Sequence, residues 1–402
     1  MKIKSNLIWI GMNLSDNEKC IFKLNNIGLL SAYTSQTMLF NKISKYFGNV
    51  LSINSYRISN YPKSSILFYR GDSWKDAYGE HTSASYLNLP FISFITKFFS
   101  LFLKVRKIAS KLDSNTNIVF VYSMNSVFML LALFFKMLKP NVKLVLIIPD
   151  HPMHMRSNMS FFIKIFKQLD IFLQKKMLGN FNSFIVFSKY IIDDLGLQND
   201  RIILHEGAID KSTAISIAEK QLNNYLNDKV IFMYSGVLSS SYKIDVLVEA
   251  FENLGEHYEL WFTGQGELEK FIAVKASKNS NIKHFGVVDY NKLLDLQSRA
   301  SVFLNMRDPL SLASKFSFPS KLFEYLCTGK PIISVKMDGI PSEYNPYLDF
   351  LYDVEVQSIQ NKLQSYSLES YEHKKKIRPD SLRFILDNKT IDSRVNKILE
   401  VI

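Results

Sequence analysis

Short apolar runs alternate with longer stretches in which apolar residues recur every three or four positions. Read as strands, the runs of the first half are NLIWIG, NVLSIN, SSILFYR, NIVFVY, KLVLIIP and SFIVFS, with helices between most of them. The second half restarts the cycle. KVIFMYSG is followed by the helical DVLVEAFENL, then YELWFTGQG, NIKHFG, the helical YNKLLDLQSRA, SVFLNM, a helix within SFPSKLFEYLCTGK, and PIISVK. This alternation predicts an α/β architecture of two doubly wound, Rossmann-like domains with parallel sheets. The boundary falls between Glu206 and Glu219, which gives domains 1–207 and 208–375. The tail, 376–402, reads as one or two helices expected to pack back towards the first domain. Ligands of open α/β sheets bind outside the carboxyl ends of the strands, so chemistry is expected in a cleft between two such domains.

Two segments raise the question of a membrane. Asn115 to Phe135 holds no charge and is long enough to span. Ser123, Asn125 and Ser126 split it, so strand, turn and helix is the preferred reading. Residues 90–112, PFISFITKFFSLFLKVRKIASKL, mix Phe, Ile and Leu with Lys97, Lys104, Arg106, Lys107 and Lys111. This segment reads either as a basic amphipathic helix on an anionic bilayer or as a core helix with a basic outer face.

The length of 402 residues fits two or three domains, and 47% hydrophobic residues suffice for sizeable cores. Lys and Arg number 49 against 37 Asp and Glu, a net charge of +12 that suits an anionic partner. No zinc-finger, helix-turn-helix or RNA-recognition signature accompanies the charge, so nucleic acid is not the expected partner. Cys20 and Cys327 lie far apart and offer neither a disulfide framework nor metal-ligand spacing, which fits a reducing compartment. The apolar run Leu7–Met12 is too short for a signal peptide and reads as a first strand.

The stretch SFPSKLFEYLCTGKPIIS, residues 317–334, carries the densest chemistry. Pro319 suits a first helical turn, and Gly329 suits a C-cap. A helix start attracts phosphate, and Lys321 adds a cation there. Glu324, one turn on, can accept from two neighbouring hydroxyls such as those of a ribose. Phosphate and sugar diol one turn apart outline a nucleotide, but the same residues also read as a solvated Lys–Glu pair.

Together with GIPSEY, this stretch resembles the donor-binding segment of GT-B glycosyltransferases of the retaining family four, closest to the branch building bacterial capsule, exopolysaccharide and O-antigen. YSGVLSSSYKIDVLVEAF, LWFTGQGELEKFI and NIKHFGVVDYNKLLDLQSRASVFLNMRDP resemble the units before it. IIPDHPMHM, FSKYIIDDLGL and HEGAID resemble segments of the acceptor domain, while the first hundred residues match loosely. The resemblance implies a GT-B fold with the two domains facing across a cleft, and hinge motion near 206–219. It implies that Glu324 binds the donor ribose, that Ser320 and Lys321 lie beside its diphosphate, and that Leu322 is among the donor-binding residues. Arg307 faces the phosphates, Gly264 lets backbone approach the nucleotide, and Val287 falls where backbone meets the base. Gly236 and Lys243 belong to the first donor loop. Asp150 is the acceptor-side aspartate, and the catalytic candidates are Asp150, Arg307 and Lys321. Two departures stand out: Phe316 occupies a position where the wider family has a sugar-contacting glutamate, and Val237 one where it often has an arginine.

Blander roles stand beside these. Asp150 also fits a cap or turn before Pro152, Arg307 a salt bridge, Lys243 a surface lysine, and Gly264 with Gly266 a plain turn. His151 and His154 form an HxxH pair, but Pro152 between them argues for a loop, and no metal is expected. The chain has no Asp-x-Asp motif. Cations and a helix start would then carry the leaving diphosphate without a metal cofactor. The function implied is retaining transfer of a sugar, with a UDP-linked donor expected, to a polyprenyl-diphosphate-linked saccharide, by a cytoplasmic protein peripheral on the inner face of the plasma membrane. A catalytically degenerate partner protein and a sugar-nucleotide epimerase of the same fold are the competing readings.

Overall fold

The computed structural model describes residues 3–25, 30–56, 58–90, 92–112, 116–151, 161–197, 201–221, 228–367 and 380–402. The chain divides into two compact units. Unit 1 comprises Met1–Glu206 with Arg394–Ile402, and unit 2 comprises Gly207–Ser393.

Unit 1 is built on strands β1 (Ile3–Gly11), β2 (Phe47–Asn54), β3 (Phe68–Tyr69), β4 (Ser73–Asp76), β5 (Gly79–Ser83), β6 (Tyr86–Leu87), β7 (Asn117–Tyr122), β8 (Val142–Ile148), β9 (Ser183–Val186) and β10 (Ile202–Leu204). Its main sheet has the order β10-β9-β8-β7-β1-β2-β5-β4 and is parallel except for the antiparallel edge pair β4–β5. β7 is buried along its whole length, as a central parallel strand covered on both faces must be. Trp9 on β1 stacks on Phe120 of β7 at 5.6 Å and meets the edge of Phe40 at 5.3 Å. The helices are α1 (Asp16–Asn25), α2 (Leu30–Ser44), α3 (Ile92–Lys111), α4 (Ser126–Leu138), α5 (Phe161–Leu178) and α6 (Lys189–Leu195). The segment 115–135 resolves into β7 and α4, with Asn125 capping the helix through the Val127 and Phe128 amides. Among the described residues, no helix is long and apolar enough to cross a membrane.

One expected strand is corrected. Of SSILFYR only Phe68–Tyr69 is a strand, and it pairs antiparallel with Tyr86–Leu87 outside the main sheet. The place beside β2 belongs to β5, GEHTS. That strand is held by polar contacts: His81 Nδ1 lies 2.6 Å from Ser52 Oγ, and its Nε2 lies 2.9 Å from Asp76 Oδ1.

Unit 2 contains α7 (Lys211–Lys220), β11 (Val230–Ser235), α8 (Ile244–Glu252), β12 (Tyr258–Thr263), α9 (Glu269–Lys278), β13 (Ile282–His284), α10 (Tyr290–Arg299), β14 (Val302–Asn305), α11 (Leu312–Phe316), α12 (Lys321–Cys327), β15 (Ile332–Val335), β16 (Asp349–Leu351), α13 (Val356–Gln364), α14 (Ser381–Asn388) and α15 (Ile391–Val401), whose last residues join unit 1. The sheet order, β13-β12-β11-β14-β15-β16, is wholly parallel and reverses between β11 and β14. Such an order places a ligand crevice outside the carboxyl ends of those two strands. Gly236 follows β11, and Arg307 lies two residues past β14. In unit 1, Arg394 of α15 forms a buried ion pair with Glu206.

Candidate functional site

The loops leaving β11 and β12 touch backbone to backbone. Gly264 has φ +120°, and a Cβ there would lie 1.9 Å from the Gly236 carbonyl oxygen. A Cβ on Gly266 would lie 2.2 Å from the Leu238 carbonyl oxygen. The resemblance has Gly264 letting backbone approach a nucleotide; the direction in which a Cβ would project from it is taken by the neighbouring loop. After Gly236 the chain forms a 3-10 turn, Ser240–Tyr242, and Lys243 enters α8 in a left-handed conformation, φ 54°. Glu267 ties this turn down by accepting from Ser239 Oγ at 2.9 Å and the Ser240 amide at 3.1 Å.

Arg307 and Lys243 come together at this crevice. One Arg307 nitrogen donates to Ser317 Oγ at 2.6 Å and the other to the Tyr242 hydroxyl at 3.0 Å. Lys243 Nζ lies 3.3 Å from Asp308 Oδ2, so it is ion-paired as well as partly exposed. Nearby Tyr234 has its hydroxyl pKa raised by burial first and by Tyr325 and Tyr242 next, with Arg307 pulling it down. Tyr242, Asp308 and Ser317 were not singled out from sequence, because their contacts span up to 65 positions.

Glu324 is clamped at both oxygens. Lys321 Nζ donates to Oε1 at 2.7 Å, and the buried Gln297 Nε2 of α10 donates to Oε2 at 3.2 Å. A carboxylate offers about four lone-pair directions, so each oxygen keeps roughly one for a further donor. The charge also helps hold its neighbours neutral. Burial first and Glu324 second raise the Tyr290 hydroxyl and push the Cys327 thiol up to about 12. Gln297 lies one turn after Leu294 on the buried stripe of α10. A polar residue at a core position was the signal that could have found it.

The helix start differs from its expected form. α12 has seven residues, and the Leu322 and Phe323 amides already donate to the Pro319 and Ser320 carbonyls. Leu322 is 0% exposed within the unit 2 core, and its amide donates to the Pro319 carbonyl at 3.0 Å. Ser320 is exposed and makes no capping bond. Gly329 ends the helix at φ +68°, the left-handed position expected of it. Lys330 is buried and donates to the carbonyls of Gln297, Ser298 and Ala300, closing the carboxyl end of α10 at 3.1, 2.6 and 2.7 Å. Val287 is 71% exposed on the loop after β13, and Phe316 is buried.

In unit 1 the sheet order reverses at β1 and β7. Ser123, just past β7, holds φ 73°, an uncommon conformation for a residue with a side chain. Asp150 follows β8 and is exposed. It adds to the burial that raises the Tyr122 hydroxyl pKa. His151 is buried, with Nε2 2.7 Å from Asp194 Oδ2. His154 lies outside the described residues. Among the described residues, no group of three or more His, Cys, Asp or Glu is placed to hold a metal ion.

Residues 216–381 match the family described as Glycosyl transferases group 1. No curated protein sequence matches the chain. Among solved structures, Anabaena HepE in complex with UDP is similar at TM-score 0.66 and 12% identity, over 100% of this chain and 99% of that one. A glycosyltransferase from Rickettsia africae is similar at TM-score 0.65 and 14% identity, covering 99% and 97%. The lipopolysaccharide outer core galactosyltransferase WaaB in its apo form is similar at TM-score 0.63 and 11% identity, covering 99% and 100%. The likeness is one of fold, and it runs through both units. The chain therefore has a GT-B fold, and its second unit carries a glycosyltransferase group 1 domain.

Proposed function

We propose that the protein is a retaining glycosyltransferase that moves a sugar from a nucleotide-diphosphate donor, UDP-linked, to a hydroxyl of a lipid-linked saccharide in bacterial surface polysaccharide synthesis. The observation that carries this reading is the doubly clamped Glu324 carboxylate, whose remaining lone pairs suit a ribose diol. HepE, of the same fold, has been solved with UDP and with UDP-glucose. As the bond from sugar to phosphate breaks, negative charge grows on the leaving diphosphate. Arg307, Lys243 and Lys321 offer cationic charge to that oxygen without a metal. Asp150 on unit 1 orients the acceptor hydroxyl, and the departing phosphate oxygen helps to take its proton in a same-face displacement. Outward-facing apolar residues on α3, in segment 90–112, agree with peripheral attachment to the inner face of the plasma membrane, where a polyprenyl-linked acceptor is presented.

The test is release of nucleoside diphosphate from UDP-, GDP- and ADP-sugars, with membranes bearing polyprenyl-linked saccharides, beside the Glu324→Gln protein. Membrane-dependent release from one donor, lost in the variant and giving a product of unchanged anomeric configuration, is the expected result. An inverted product removes the retaining mechanism. Nucleotide binding without release under any acceptor favours a non-catalytic partner, for which the departures at Phe316 and Val237 speak. Interconversion of free nucleotide sugars favours an epimerase. Absence of nucleotide binding removes the reading of Glu324 altogether.

A further inference from the structure

Unit 1 carries an apolar surface that its own core does not use. α4 packs against α3 on one side and α5 on the other. The inward face of the layer is conventional, with Leu101 and Val105 of α3, Leu131 and Phe135 of α4 and Ile171 of α5 all buried. The outward face is also apolar. On α3, Phe99 is 60% and Leu103 64% exposed; on α4, Met137 is 78%; on α5, Leu169 is 55% and Phe172 54%. Exposed apolar residues scattered singly are ordinary, whereas a run across three adjacent helices marks a contact surface.

The charges carried by these three helices are almost all basic. Asp170 is the single acid in the three helices, and it is tied to Ser126 and Gln174. Arg106, Lys107 and Lys111 are exposed at the end of α3, and Lys175 and Lys176 at the end of α5. Two lysines of the sequence reading turn the other way. Lys97 donates to the Tyr56 carbonyl at 3.2 Å and lies 4.0 Å from the Tyr86 ring. Lys104 donates to Thr82 Oγ1 at 2.6 Å, and burial first and Lys107 second hold its pKa below the usual lysine value.

We propose that α3, α4 and α5 together form a docking face for an anionic lipid bilayer, with apolar side chains at the acyl boundary and the basic helix ends among the headgroups. This deepens the membrane partner of the proposed function: the footing is a layer of three helices where the sequence suggested one. A twofold contact sets a patch against itself, so a second copy would bring together two faces that both carry net positive charge. A bilayer of anionic lipids meets both the apolar area and the positive charge.

The experiment is co-sedimentation of the full chain with vesicles of phosphatidylcholine alone and of phosphatidylcholine mixed with phosphatidylglycerol, with UDP binding measured on the same samples. Partition to the mixed vesicles, weakened by salt, is expected. Phe99→Glu, Met137→Glu and Phe172→Glu each remove one apolar anchor and should lower partition by about tenfold. All three sites are exposed, and unchanged melting temperatures verify the fold. Loss with Phe99→Glu but not with Met137→Glu or Phe172→Glu overturns the three-helix face and leaves α3 alone. No partition to anionic vesicles, or a dimer that Phe172→Glu dissociates, overturns the lipid assignment. UDP binding reports on the donor site separately, so failure of one reading does not pass for failure of the other.

Discussion

Replacing Glu324 by glutamine keeps the side chain's size and removes its charge and one acceptor. In the native site the carboxylate accepts from Lys321 Nζ at 2.7 Å and Gln297 Nε2 at 3.2 Å, on opposite oxygens. An amide has one acceptor oxygen where the carboxylate has two: that oxygen can stay with Lys321 only if Gln297 turns its own amide round to accept from the new NH2 group. The oxygen left for a ribose is then at most one, so one hydrogen bond to a charged acceptor is lost, worth about 2 kcal/mol. That corresponds to about thirtyfold in the dissociation constant for UDP. The loss of fold stability should be smaller, because the Lys321–Glu324 pair is partly exposed, with side-chain exposures of 37% and 22%, and screened by water. Titration calorimetry with UDP and with 2′-deoxy-UDP measures both the loss and its cause. The wild type should discriminate against the deoxynucleotide, and the variant should not. A variant within about threefold of the wild type, or a wild type that binds both nucleotides equally, would refute the diol assignment.

Three further outcomes follow from the packing. Gly264→Ala places a Cβ against the Gly236 carbonyl at a backbone angle that favours glycine, so unfolding in denaturant should show a loss of about 3 kcal/mol or more; an unchanged midpoint would contradict the close approach of the two loops. Cys327, with its thiol pushed up to about 12 from 9.0, should resist alkylation in the native protein while the exposed Cys20 reacts. The folded state holds that proton more tightly than the unfolded chain, so this group leaves stability unchanged below about pH 9 and lowers it as the pH rises further, which alkaline melting curves can follow. Glu206→Ala strands the buried Arg394 guanidinium at a cost of about 3–5 kcal/mol, and Arg394→Met in the same background should recover part of it if the pair is responsible.

The parts of the fold that could be read in the sequence are those whose strands are buried on both faces. β7 and β11 are continuous apolar runs because nothing polar fits between two helical layers. β5 escaped notice because its inward residues are His81 and Ser83, buried through hydrogen bonds. SSILFYR misled for the opposite reason: Leu67 and Phe68 are apolar yet exposed, at 45% and 58%. The same division holds in the candidate site. Lys321 and Glu324 share a helix face, so local spacing brings them together. Gln297 reaches Glu324 from 27 positions away, and Asp308 reaches Lys243 only because β14 lies beside β11. Contacts of that kind depend on strand order, which local periodicity does not encode.

The division of the chain also bears on how the protein is made. Unit 1 is written in two pieces, 1–206 and 394–402, with the whole of unit 2 between them. The buried Arg394–Glu206 pair, the bond from Lys143 Nζ to the Ile402 carbonyl and that from the Tyr46 hydroxyl to Asn396 all wait on the second piece. During synthesis, then, the half that emerges first is the half that is finished last. Glu206 passes through that interval without the Arg394 guanidinium that it holds in the completed protein. The ribosome must deliver an entire second domain before the first can lock.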